Sequence, residues 1–121
     1  MKTAREIAES YWAAECQRDL EAVLDHYLPD AVVHPPSGPV FRGLDEIASF
    51  YTDEMRDFPG LEVRIVHETG DASEAALEWE AVLIDHAGVR HPFRGVNVVR
   101  VRDDRFESVR AYFDPAAITA R

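Results

Sequence analysis

From residue 61 onward every regular stretch reads as extended, whereas the first third of the chain carries a period near that of an α-helix. A chain whose helices come first and whose strands follow in one uninterrupted series has few ways to bury both. "LEVRIVHE", residues 61–68, places Leu61, Val63, Ile65 and His67 on one face and Glu62, Arg64 and Glu68 on the other. The turn "GDAS" then leads into "EAALEWEAVLID", "HAG" into "VRHPFRGVNVVRVR", and "DDR" into "FESVRAYFD". Strands joined by such short turns pair as an antiparallel meander.

Upstream, "TARE" reads as a capping box of Thr3 and Glu6, followed by Ile7, Ala8, Tyr11 and Ala14 at helical spacing with Trp12 beside them. Asp19 can cap a second short helix carrying Leu20, Val23, Leu24, Tyr27 and Leu28, which Pro29 stops. A short strand, "AVVH" at 31–34, precedes the turn-rich "PPSGP". A third helix from "LDEI" onward buries Ile47, Phe50, Tyr51 and Met55 before "FPG" ends it at residues 58–60. These apolar stripes need a partner, so the helices are expected to cover one face of a curved antiparallel sheet. The expected fold class is α+β, in a single domain over residues 1–121.

Composition narrows the function classes. Thirteen basic against 23 acidic side chains give a net charge of −10, which repels polyanions and argues against nucleic acid and anionic membranes as partners. Cys16 is the single cysteine, so no internal disulfide or cysteine-based zinc site is available. His86 and His91 flank the "HAG" turn near Asp85, but a hairpin does not hold them at fixed ligand spacing, and no metal site is expected. No phosphate-binding glycine loop or nucleophile elbow occurs. No apolar run is long enough to cross a bilayer, and "MKTAREIAES" is amphipathic rather than signal-like, so a cytoplasmic location is expected. Both faces of "ALEWEAVLI" are substantially apolar, as expected if one meets the helices and the other a second subunit.

The last strand raises the chemical question. Arg110, Tyr112 and Asp114 alternate in "VRAYFDP" and so share a face, which turns either to water or to a pocket. Together with "DLEAVLDHYLPDAVVH", "FRGLDEIASFY" and "VRVRDDRFESVRAYFD", this order of elements resembles the SnoaL-like domains of the nuclear transport factor 2-like (ketosteroid isomerase-like) superfamily. The last strand is most similar to the limonene-epoxide-hydrolase branch. The resemblance implies a cone: a strongly curved sheet wrapped around the first helix, with an apolar cavity open at one end and a homodimer through the convex sheet face.

The resemblance also implies site residues. The aspartate matching Asp114 points into the cavity as general acid or base, with Arg110 and Tyr112 able to orient it. The other reading of Asp114 is a turn hydrogen bond beside Pro115, and of Arg110 a solvent-facing side chain. Glu80 stands where the epoxide-hydrolase branch has the second carboxylate of an Asp–Arg–Asp relay. Glu78 replaces the arginine, and both glutamates facing outward with Trp79 in the core is the alternative. His34 lies near the pocket histidine of related domains, or is a rim histidine bonded to backbone. Asn97, among valines, needs a partner within the sheet or across the pocket. Trp12, Phe41, Tyr51, Met55 and Phe93 are candidate cavity walls.

These readings lead to a cofactor-independent enzyme acting on a small apolar organic molecule by proton transfer: isomerisation, aldol-type cyclisation or epoxide opening. Asp114 is the expected acid/base, with Glu80 or His34 as partner and Tyr112 assisting. The competing expectation is a non-catalytic ligand-binding or dimerisation module of the same fold.

Overall fold

The computed structural model describes the backbone of residues 1–119 and the side chains of residues 1–117. Helix α1 spans Ala4–Cys16 behind the full Thr3–Glu6 capping box, and α2 spans Leu20–Leu24 with Asp19 accepting from the Ala22 amide. Strand β1 follows at Tyr27–His34, β2 at Phe41–Arg42, α3 at Gly43–Asp57, β3 at Gly60–Gly70, β4 at Glu74–Ile84, β5 at Arg90–Arg102, β6 at Arg105–Phe113, and a short α4 at Ala116–Thr119. Tyr27 and Leu28 are therefore strand residues. The expected second helix stops four residues earlier than its apolar pattern suggests, because both side chains enter the core from β1.

The six strands form one sheet in the order β2-β1-β6-β5-β4-β3. Strands β3 to β6 are the expected antiparallel meander, while β1 joins β6 in parallel. Asp103 and Asp104 both take positive φ, 54° and 60°, as a tight two-residue hairpin between β5 and β6 requires. Helix α1 packs on β3, β4 and β5, and α3 packs on β1, so the helices cover the inner face of the curved sheet. No helix among the described residues is long and apolar enough to cross a membrane.

Two bulges set which side chains face inward. Between β5 and β6, Arg100 pairs with Ser108 but Val101 pairs with Phe106, leaving Glu107 as an extra residue. One extra residue reverses the alternation. Phe106 is buried, and beyond the bulge Val109, Ala111 and Phe113 continue the inner face while Arg110 and Tyr112 turn outward. Between β3 and β4, Val66 is the extra residue, and His67 pairs with outward-facing Glu78 rather than continuing the Leu61–Val63–Ile65 face.

At the centre of the inner face Trp79, Phe93 and Phe113 meet edge to face, with ring centroids 5.1–5.9 Å apart. Gly95 lies beneath them: a Cβ there would come within 2.8 Å of Trp79 Cζ2 and 2.8 Å of Phe113 Cβ, and would press on the Tyr112 carbonyl. Gly95→Ala is therefore expected to destabilise the fold by about 1–3 kcal/mol through overpacking, read as a lower urea midpoint at unchanged slope. An unchanged midpoint would contradict this packing.

Candidate functional site

A cavity of about 420 Å³ lies between α1, α3 and the inner face of the sheet. Its volume falls in the range of small-molecule sites, roughly 300–1,000 Å³. The sheet contributes mostly apolar walls, among them Val33, Leu61, Trp79, Phe93, Val109 and Phe113. The helices contribute its polar patch: Tyr11 and Glu15 from α1, Tyr51 and Glu54 from α3.

Helical spacing brings these four together. Glu15 lies four residues beyond Tyr11 and eight beyond Ile7, on the buried stripe of α1, and only 5% of it is exposed. Glu54 lies three residues beyond Tyr51 and seven beyond Ile47 on the buried stripe of α3. Glu15 hydrogen-bonds to Glu54 and to the Tyr11 phenol. Tyr11 Oη is 2.5 Å from Tyr51 Oη, which is 2.6 Å from Tyr27 Oη. In each phenol pair either oxygen can be the donor, so the five groups form one continuous chain of hydrogen bonds, with no fixed direction among the phenols, that ends at Glu54.

Burial sets the protonation of this chain. Loss of water, and next the neighbouring charge of Glu54, push the Glu15 carboxyl well above the usual carboxylate range; the Tyr11 bond and Arg18 pull the other way without reversing it. Burial likewise raises all three phenols, so they remain donors. Arg18 closes the cluster: its Nη1 is 3.4 Å from Glu54 Oε1 and 3.9 Å from Glu15 Oε1.

The side chains singled out from the sequence divide cleanly. Trp12, Phe41, Tyr51, Phe93 and Asn97 line the cavity, with Asn97 Oδ1 accepting from Trp79 Nε1 at 3.0 Å. Met55 packs against the core without lining the cavity. The expected acid–base set is not there. Asp114 is exposed, and its Oδ1 accepts from the Ala116 amide at 3.0 Å, capping α4 just before Pro115. Tyr112 is 55% exposed on the outer face, beside exposed Arg110. Glu80 is exposed and ion-paired with Arg64 on the neighbouring strand, and Glu78 is exposed beside it. His34 is paired in register with Arg110 on the outer side, where burial and next the Arg110 and Arg42 charges lower its pKa. The Glu107 bulge accounts for Arg110 and Tyr112 directly, since without it their parity would follow Phe106 inward.

Glu15, Glu54, Arg18 and Tyr27 were not among the candidates. A signal for the first two was present: each glutamate sits at a helical position that its apolar neighbours mark as buried, and a buried glutamate needs a partner.

The sequence profile of the SnoaL-like domain matches residues 8–115. The chain belongs to the SnoaL-like domain family. Solved structures similar to this SnoaL-like domain share the nuclear transport factor 2-like, ketosteroid isomerase-like fold. A putative polyketide cyclase from Xanthomonas campestris pv. campestris superimposes with a TM-score of 0.85 at 20% identity, covering 97% of this chain and 94% of that one. A protein of unknown function from Burkholderia pseudomallei with the same nuclear transport factor 2-like fold gives 0.84 at 18% identity, covering 99% and 97%. An epoxide hydrolase of the LEH-like type from Mycobacterium tuberculosis gives 0.79 at 24% identity, covering 94% and 84%. No curated protein matches significantly.

The shift at Glu15 has a stability consequence of definite sign. Below the unfolded value of a glutamate, about 4.3, Glu15 is neutral in both states and its burial carries no charge penalty. As pH rises, the unfolded chain releases a proton that the folded domain keeps, so stability falls until pH passes the folded value. Glu15→Gln removes this term. Its unfolding free energy, from urea titrations, should gain on wild type as pH rises above the unfolded value, by at most about 1.4 kcal/mol per pH unit, and the gain should level off once pH passes the folded value. A difference independent of pH would contradict a protonated Glu15.

Proposed function

We propose that this SnoaL-like domain is a small-molecule enzyme that moves protons on an apolar carbonyl compound held in the cavity. The observation that carries this reading is the placement of two carboxyl groups, of which burial pushes Glu15 well above the usual carboxylate range, and two phenols on one wall of an otherwise apolar hollow. A carbonyl oxygen that replaces Glu15 as the acceptor from Tyr11, and Glu54 as the acceptor from Glu15, meets two donors that stabilise an enolate and leaves Glu54 free to act as base. Glu54 is the group on the same wall that can take the α-proton, which breaks the C–H bond and leaves its electron pair in the enolate. Returning that proton to another carbon is isomerisation, and attack of the enolate on a second carbonyl is an aldol-type cyclisation. The Glu15 carboxyl could protonate an epoxide oxygen. Similarity to a polyketide cyclase and an epoxide hydrolase supports this range of chemistry.

A second reading is favoured by one feature. Each phenol of the chain already has a hydrogen-bond partner within it, as in a network that serves the fold alone. The domain would then bind an apolar ligand without transforming it.

Exchange of the α-protons of β-tetralone in D₂O, followed by proton NMR, separates the two. Enolisation predicts catalysed exchange that falls about 10²-fold or more in Glu54→Gln, with a loss in Tyr11→Phe as well. Tight binding of such ketones with no exchange above background would support the binding module and refute the enzyme.

A further inference from the structure

Arg18 occupies an unusual place. Helix α1 ends in the two-bond motif in which the Arg18 amide donates to the Glu15 carbonyl at 2.9 Å and the Asp19 amide donates to the Ala14 carbonyl at 3.2 Å. The residue between those bonds adopts positive φ, here 57°, and is usually glycine, which alone takes that conformation without strain. An arginine there implies a use for its side chain that outweighs the strain. That side chain folds back under the helix end and is only 11% exposed.

Its contacts join the two helices at the carboxyl pair. Nε donates to the Phe58 carbonyl at 3.0 Å, and Nη1 to the Glu15 carbonyl at 3.2 Å and to Glu54 Oε1 at 3.4 Å. Nη2 is buried without a hydrogen-bond partner among the described residues. What the guanidinium supplies throughout is a positive charge beside two carboxyls. The other ionisable groups around the cluster are the buried phenols Tyr11, Tyr51 and Tyr27 and half-buried Cys16, with exposed Asp53 and Asp57 of α3 at the cavity rim, both ion-paired with Arg56. Among the described residues Arg18 is the cation within 4 Å of both Glu15 and Glu54.

We infer that Arg18 is a positioning residue that makes the two carboxyls unlike: its guanidinium lies nearer Glu54 than Glu15 and so marks Glu54 as the proton acceptor and Glu15 as the proton holder of the pair. Without it the two glutamates are a buried like-charged pair that takes up a second proton more readily, and the base is lost. This role deepens the proton-transfer reading and rests on it for its functional meaning, but it can be read without any substrate.

The test compares wild type, Arg18→Gly and Arg18→Lys, each with ¹³C-labelled glutamate carboxyls. Glycine suits the backbone at this position, so Arg18→Gly is expected to fold. Carboxyl NMR titration should show one proton on the Glu15–Glu54 pair of the wild type at pH 6, and in Arg18→Gly a second proton binding at a pH at least one unit higher. Arg18→Lys, which restores a charge, should return the curve toward wild type. In the β-tetralone assay the acidic limb of the pH–rate profile should move up with it. Millimolar guanidinium should recover the rate of Arg18→Gly and not that of Glu54→Gln. Identical carboxyl titrations in wild type and Arg18→Gly would overturn this role, whether or not the wild type exchanges tetralone. A shifted titration in a protein that exchanges nothing would leave Arg18 in place and remove the enzymatic reading instead.

Discussion

The structure turns on a glutamate almost wholly buried in the wall of the cavity. An isolated carboxylate at Glu15 would carry a desolvation cost far larger than a small domain's net stability. The fold answers by keeping the group neutral and surrounding it: Tyr11 gives it a proton bond, Glu54 receives its own proton, and Arg18 offsets the charge on that side. Each partner comes from a different place, one turn up α1, across on α3 and just past the end of α1. The relative placement of the two helices is thereby fixed by chemistry as well as by packing.

The tyrosines extend this constraint to the sheet. Tyr27 belongs to β1, so the phenol chain links the first strand to both long helices through bonds of 2.5–2.6 Å, while their rings pack edge-on with Phe106. The cavity wall opposite is built from side chains with no protons to lose, chiefly Trp79, Phe93 and Phe113 around Gly95. A polar wall facing an apolar one is what a site needs to orient a mostly apolar molecule by one oxygen.

Much of this architecture was legible in the sequence. The capping box at Thr3, the Asp19 cap and the alternation in β3 to β6 report local physics, and the helices-then-meander order follows from them. The inward or outward sense of the last strand was not legible. Strict alternation cannot reveal the extra residue at Glu107, because nothing in "RFES" differs from an unbulged strand; the bulge is set by pairing with β5 and β1. That one residue moves Arg110 and Tyr112 to the outer face, and Asp114 beyond the strand end serves the next helix as a cap. The outward sense of Glu80 was foreshadowed by its alternation with Trp79 and by Arg64 across the strand. The helical carboxyls were readable in principle, since Glu15 and Glu54 interrupt stripes that are otherwise apolar. A search confined to the strands passes over them.

The most direct measurement of the central claim is the infrared difference spectrum between wild type and Glu15→Gln at pH 7. A neutral Glu15 predicts a carboxylic C=O stretch in the wild type that moves on transfer to D₂O and is lost in the variant. A difference spectrum holding only carboxylate bands would mean that both glutamates are ionised, and the account of the cavity as a proton-transfer site would be wrong.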